Sequence, residues 1–211
     1  MTDIAVIDYG MGNLRSVHNA LLKVAPGASI AVTDDPQVVA QARRVVFPGQ
    51  GAMRDCMREM DARNLRQAVL DAARNKPFLG ICIGLQMLFE HSAEGDVPGL
   101  GVLRGEVVRF AHEMQDAKGN RLKVPHMGWN QVRHGNHALW QNIAQDERFY
   151  FVHSYYVKPA DAAIVQGESS YPQPFVCAVG RDNLFAVQFH PEKSHTAGLQ
   201  LLQNFVNWNP V

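Results

Sequence analysis

The stretch KPFLGICIGLQMLFEH, Lys76 to His91, constrains the fold of this chain more than any other. Pro77, Phe78, Leu79 and Ile81 make a short apolar run of the kind found in a strand buried on both faces, whereas Leu85, Leu88 and Phe89 recur at helical spacing. The period changes at Cys82. Gly80 and Gly84 flank it, giving G-x-C-x-G, the cysteine form of a nucleophile elbow, in which a strained strand-to-helix turn lifts a reactive atom out of the sheet. Side chains at either glycine would collide with neighbouring backbone. A thiol at a helix start faces unpaired N–H groups that favour the thiolate; a fall of about two units from an ordinary pKa near 8.5 makes thiolate the majority species at neutral pH. The backbone N–H of Ile83 is then placed to meet an oxyanion. A core cysteine in an ordinary turn is the bland alternative, and the paired glycines argue against it.

At 211 residues with 46% apolar content the chain can bury a substantial core, and one domain over residues 1–211 is the simplest organisation. Twenty basic residues balance twenty acidic ones. That balance argues against a nucleic-acid footprint or an anionic membrane surface, and for a small ligand or a protein partner. Cys56, Cys82 and Cys177 are three cysteines without C-x-x-C spacing, which indicates neither a disulfide framework nor a zinc knuckle. The N-terminus opens on an apolar run with no secretory signal pattern, and no apolar stretch is long enough to span a bilayer. A cytoplasmic protein is expected.

Ile4 to Ile7 read as a buried strand, followed by the glycine turn of DYGMGN and a helix with Leu14, Val17, Leu21 and Val24 on one stripe. Gly10 and Gly12 invite a dinucleotide reading, but Arg15 occupies the third glycine position and no acidic residue clearly ends a second strand. Gly10 to Arg15 are better read as a ligand-facing loop at the rim of an open sheet. Strands follow at Ile30 to Thr33 and Arg44 to Phe47, with a short helix from Pro36 to Ala42 between them. In the next loop, Gly49 and Gly51 make a reorientation of the Gln50 peptide inexpensive, so it is either a second oxyanion donor or a plain tight turn. Residues 53–75 read as helix in two segments. This alternation predicts an α/β fold with an open, largely parallel, doubly wound sheet and flanking helices. From about Gly101 to Phe189 the pattern becomes β-rich, ending in a hairpin turned at Gly180 to Asn183. An amphipathic helix from Thr196 to Trp208 closes the chain.

A cysteine nucleophile needs a base, and nine histidines are available. His18, His112, His134 and His137 lie in helical or polar surroundings; the last two mimic metal spacing but have no cysteine or carboxylate pair beside them, so no metal is expected. His190 ends the apolar run FAVQF, and Glu192 follows across Pro191. In an extended segment residues two apart point to the same side, so Glu192 reaches the ring of His190 and fixes its tautomer. Cys82, His190 and Glu192 then form a nucleophile, base and orienter.

With GICIGLQ and FHPEKS in hand, the chain resembles the class I glutamine amidotransferases over essentially its whole length. DYGMGNLRSV, PHMGWN and HSYY are similar to the branch of that family serving imidazole glycerol phosphate synthases in histidine biosynthesis. The resemblance implies a flavodoxin-like fold, a cofactor-free glutaminase, glutamine as substrate, and a separate cyclase subunit that receives ammonia in a heterodimer. It implies Cys82 as nucleophile, His190 as acid and base, and Glu192 as orienter. Gly49, Gln50, Gly51 and Ile83 would form the oxyanion region, and Gln86, His153, Ser154 and Tyr155 would hold glutamine. Asn13, Trp129, Asn130, Lys193 and Ser194 would lie on or near the face that meets the cyclase. Residue by residue, plainer roles stand beside these: Gln86 as a polar first-turn residue, Trp129 as core, Tyr155 as an ordinary strand aromatic. Amidotransfer to another synthase, such as those for anthranilate, carbamoyl phosphate or pyridoxal phosphate, is a second enzymatic reading, and PHMGWN with HPEKS argues against it. A non-catalytic scaffolding subunit is a third, against which the complete triad stands.

Overall fold

A computed structural model describes residues 2–116 and 118–210. Its first half alternates strand and helix: β1 (Ile4–Ile7), α1 (Leu14–Val24), β2 (Ile30–Thr33), α2 (Pro36–Gln41), β3 (Arg44–Phe47), α3 (Met53–Ala62), α4 (Arg66–Asn75) and β4 (Phe78–Ile81). A short helix, α5 (Ile83–Met87), follows. Then come β5 (Phe89–Ser92), β6 (Val97–Pro98), β7 (Leu103–Arg109), β8 (His126–His134), β9 (Glu147–His153), β10 (Tyr155–Pro159), β11 (Val165–Ser170), β12 (Pro174–Arg181) and β13 (Leu184–Val187), with α6 (His195–Asn207) last.

The main path of the sheet runs β2-β1-β3-β4-β13-β12-β10-β7-β5-β6, and β11, β8 and β9 branch from it. From β2 to β13 every pairing is parallel; beyond β13 most are antiparallel. Strands β1, β3 and β4 feed two cores because successive side chains point to opposite faces. Ala5, Ile7, Val45, Phe47 and Phe78 pack against α2, α3 and α4. Ile4, Val6, Val46, Leu79 and Ile81 pack against Val17 and Leu21 of α1 and against Leu201, Leu202 and Phe205 of α6. Such strands must be apolar throughout, which is why they read as continuous runs.

The β12–β13 hairpin inserts the last strand of the chain beside β4, with Leu184 opposite Phe78 and Val187 opposite Ile81. Two segments a hundred residues apart in sequence therefore end at the same rim of the sheet. Two expectations need correction. The helix after Cys82 stops at Met87, and Phe89 to Ser92 form a strand paired with β7 and β6. Leu88 and Phe89 are buried in either state, so a short apolar run did not separate them, and pairing with Leu103 decided the outcome. The segment Pro191–Lys193 is a 3₁₀ turn rather than extended chain, with only His190 in the extended region. No helix among the described residues is long and apolar enough to cross a membrane.

Candidate active site

Cys82 stands between β4 and α5 with φ 57° and ψ −113°, outside the regions that L-residues ordinarily adopt. Two hydrogen bonds and the close approach of neighbouring strands to both flanking glycines hold it there. Its N–H donates to the Val187 carbonyl at 2.8 Å, tying the turn to β13, and its carbonyl accepts from Leu85 N–H at 3.0 Å. A Cβ at Gly84 would overlap the Phe47 carbonyl oxygen, and one at Gly80 would come within 2.9 Å of Ala186 Cβ. The strain is thus imposed by β3 and β13 on either side of the turn.

His190 reaches this turn from the end of β13, its N–H donating to the Tyr150 carbonyl on β9 at 2.9 Å. Nδ1 of His190 lies 2.8 Å from Glu192 Oε1, and both side chains are 2% exposed. The 3₁₀ turn, not an extended segment, brings the carboxylate round to the ring. Nε2 is buried without a hydrogen-bond partner, in the pocket that Cys82 also lines. Burial alone would lower the His190 pKa, but the charge and hydrogen bonding of Cys82, followed by those of Glu192, outweigh it and hold the value up at about 10.

The pocket has a volume of about 430 Å³ and is lined by Cys82, His190, Gln50, Gly51, Ile83 and Gln86, with Glu94, Pro125, Tyr150, Val152, His153, Ser154, Tyr155 and Lys193 completing its wall. Of the predicted oxyanion and substrate residues, Gln50, Gly51, Ile83, Gln86, His153, Ser154 and Tyr155 are therefore brought together. Gly49 lies beneath them, where a Cβ would overlap the Tyr9 hydroxyl and Ile83. The Gln50 carbonyl accepts from the Cys56 thiol at 3.6 Å. Burial pushes that thiol up to about 12, so it remains a donor at neutral pH.

Two pocket groups escaped sequence reasoning. Glu94 projects from the loop after β5 and accepts from Met53 N–H at 2.9 Å, filling the start of α3 that Ala52 leaves uncapped; burial pushes its carboxyl above the ordinary range. Gln188 is fully buried, accepts from Gln86 Nε2 at 3.0 Å and places its own amide 3.9 Å from Cys82 Sγ. Its one signal was a lone amide in the apolar run FAVQF.

The residues expected at a partner face separate into two groups. Asn13 and Trp129 are exposed; Asn13 caps α1, and Trp129 stacks on His195 with ring centroids 4.9 Å apart. Lys193 is half-buried with its ammonium 6.0 Å from the Tyr150 ring. Asn130 is half-buried and hydrogen-bonded within the protein. Ser194, expected on or near that face, is 1% exposed: its hydroxyl donates to the His190 carbonyl at 2.6 Å and accepts from Tyr150 N–H, buttressing the turn of the base. Among the described residues no cluster of three or more His, Cys, Asp or Glu side chains is placed to hold a metal ion.

A strained cysteine turn facing a carboxylate-backed histidine on an open α/β sheet is the arrangement of a thiol acyl-transfer enzyme, and the family glutamine amidotransferase class I matches residues 5–208. The chain belongs to that family and is a glutamine amidotransferase. It is 68% identical over its whole length to the imidazole glycerol phosphate synthase subunit HisH of Nitrosospira multiformis, also covered in full. Its identity is 69% to the HisH subunit of Dechloromonas aromatica, over 98% of this chain and 97% of that one, and 55% to that of Neisseria gonorrhoeae, over 97% and 99%. Solved structures agree on the fold: a putative GMP synthase subunit from Thermoplasma acidophilum superposes with a TM-score of 0.70 at 18% identity, covering 98% of this chain and 93% of that one.

Proposed function

We infer that this chain is the glutaminase subunit of an imidazole glycerol phosphate synthase, acting in histidine biosynthesis as one cytoplasmic domain paired with a cyclase subunit. The meeting of Cys82 and His190 in one pocket, with Glu192 hydrogen-bonded to the far side of the His190 ring, carries the chemical part of the reading. Full-length identities of 68% and 69% to named subunits of that synthase support the choice of partner.

Glutamine enters with its carboxamide carbon at Cys82 Sγ. The thiolate adds to that carbon, and the developing oxyanion is met by the Ile83 N–H, which has no acceptor within its own helix, and by a second donor from the Gly49–Gly51 loop. His190, held as imidazolium, gives its Nε2 proton to the departing nitrogen; the C–N bond breaks and ammonia leaves. Neutral His190 then takes a proton from water as the oxygen attacks the γ-glutamyl thioester. The C–S bond breaks, glutamate is released and the thiolate returns.

Both amide protons of Gln86 are donated within the protein, to the Tyr155 carbonyl at 3.1 Å and to Gln188 Oε1 at 3.0 Å. Its carbonyl oxygen is thereby left to accept from an N–H of the substrate. Glu94, a carboxylate on the same wall, suits the α-ammonium, whose charge would offset its burial. Ammonia passes to the cyclase, which combines it with a phosphoribulosyl aminoimidazole carboxamide nucleotide to yield imidazole glycerol phosphate and aminoimidazole carboxamide ribotide. The test is Cys82→Ala in the assembled enzyme. Glutamine-dependent synthesis should disappear while synthesis from added ammonia persists; loss of neither would overturn the assignment of the nucleophile.

A further inference from the structure

Strand β8 carries a buried histidine, His126, that the mechanism above does not use. It lies opposite His153 in the β8–β9 ladder, and its Nδ1 is 3.0 Å from His153 Nε2. Nδ1 of His153 is 2.8 Å from the Tyr155 carbonyl, the same oxygen that receives the Gln86 amide. At the outer end, Asn130 Nδ2 is 3.2 Å from His126 Nε2. The amide of Asn130 cannot be turned over without loss, because Oδ1 accepts from Gln131 N–H at 2.9 Å and Nδ2 also donates to the Ser170 carbonyl at 2.9 Å.

These partners fix every proton. A carbonyl only accepts, so His153 carries its proton on Nδ1 and offers a lone pair at Nε2. His126 must then donate from Nδ1, which leaves its Nε2 to accept from Asn130. Burial keeps both rings neutral, pushing His126 down to about 4 and His153 down to about 3. The His126 ring is also clamped, stacked on Tyr171 at 4.1 Å and on Phe151 at 5.0 Å.

We propose that His126 is a positioning residue: with Asn130 and His153 it forms a one-way hydrogen-bond relay from β8 to the Tyr155 carbonyl, and this relay locks the Gln86 amide with its oxygen toward the substrate. The chain continues through Gln188 to Cys82 Sγ, so the strand that displays Trp129 is joined to the glutamine site by hydrogen bonds throughout. The inference rests on glutamine being the substrate of this pocket.

Two measurements test it. In the wild-type protein, ¹⁵N spectra of labelled histidine should show both His126 and His153 as Nδ1–H tautomers; an Nε2–H tautomer at either overturns the relay. In the enzyme assembled with its cyclase, His126→Phe keeps a flat ring between Tyr171 and Phe151 but removes both nitrogens, whereas His126→Asn restores a donor near Nδ1. Loss of an oriented binding group predicts a rise of about tenfold in KM for glutamine in the Phe variant, with kcat changed less than about threefold, and recovery of most of the KM in the Asn variant. Equal behaviour of the two variants, or a fall in kcat at unchanged KM, would reduce His126 to packing and overturn the proposal. A wild type that does not hydrolyse glutamine would sink the functional reading instead, and the tautomers would still decide the relay.

Discussion

At the scale of single residues, His190 is the group whose charge the site is built to hold. Burial disfavours its imidazolium, yet Cys82 and Glu192 raise the pKa to about 10, against about 6.5 for a free histidine. A raised pKa stabilises the folded state fully below the unfolded value, and that contribution is lost as pH climbs through the folded value. The wild-type thermal midpoint should therefore fall between pH 7 and pH 10, and the slope should flatten in Cys82→Ala, which removes one of the groups holding the proton. Parallel slopes in calorimetry would contradict this account. Two of the three cysteines are held as thiols by burial. Burial pushes the Cys56 thiol up to about 12 and holds Cys177 well above its ordinary value, while Cys82 opens on the pocket. Iodoacetamide at pH 7.5 should label Cys82 alone, as read by mass spectrometry of the native protein, with the other two reacting only after unfolding.

At the scale of elements, the turn between β4 and α5 stores strain that the chemistry requires and stability does not. Replacing Cys82 by glycine releases about 1–3 kcal/mol of backbone strain against about 0.5–1 kcal/mol of added chain entropy, so Cys82→Gly should outlast Cys82→Ala in urea by about 1 kcal/mol. Equal midpoints would mean that the turn is relaxed. Much of this level was legible in the sequence because its signals are local. Strands buried on both faces must be apolar throughout, and only glycine fits at positions 80 and 84, so the run ending in GICIG declared itself. What escaped depends on pairing across the sheet. Leu88 and Phe89 fitted a helix until Leu103 was seen beside Phe89. Glu94 and Gln188 belong to the pocket only because their loop and strand meet α3 and Cys82. Likewise the 3.0 Å contact of His126 with His153 follows from a ladder register that no spacing in the chain announces.

At the scale of the whole molecule, the pocket opens beside a face carrying Met127 at 63% and Trp129 at 42% exposure. Exposed aromatic side chains held by stacking are the usual anchors of an interface. Trp129→Ala should weaken association with the cyclase by about thirtyfold, close to 2 kcal/mol, as measured by titration calorimetry, with little change in the stability of the unbound glutaminase. An unchanged affinity would move the interface elsewhere. A glutaminase that ran without an acceptor would waste glutamine, so hydrolysis should respond to the partner. The most direct measurement is glutamate release from glutamine by the purified chain, alone and then with the cyclase and its nucleotide ligand. Hydrolysis that rises on assembly and is absent in Cys82→Ala is the predicted result; no hydrolysis in any of these conditions, or a rate indifferent to the cyclase, would contradict it.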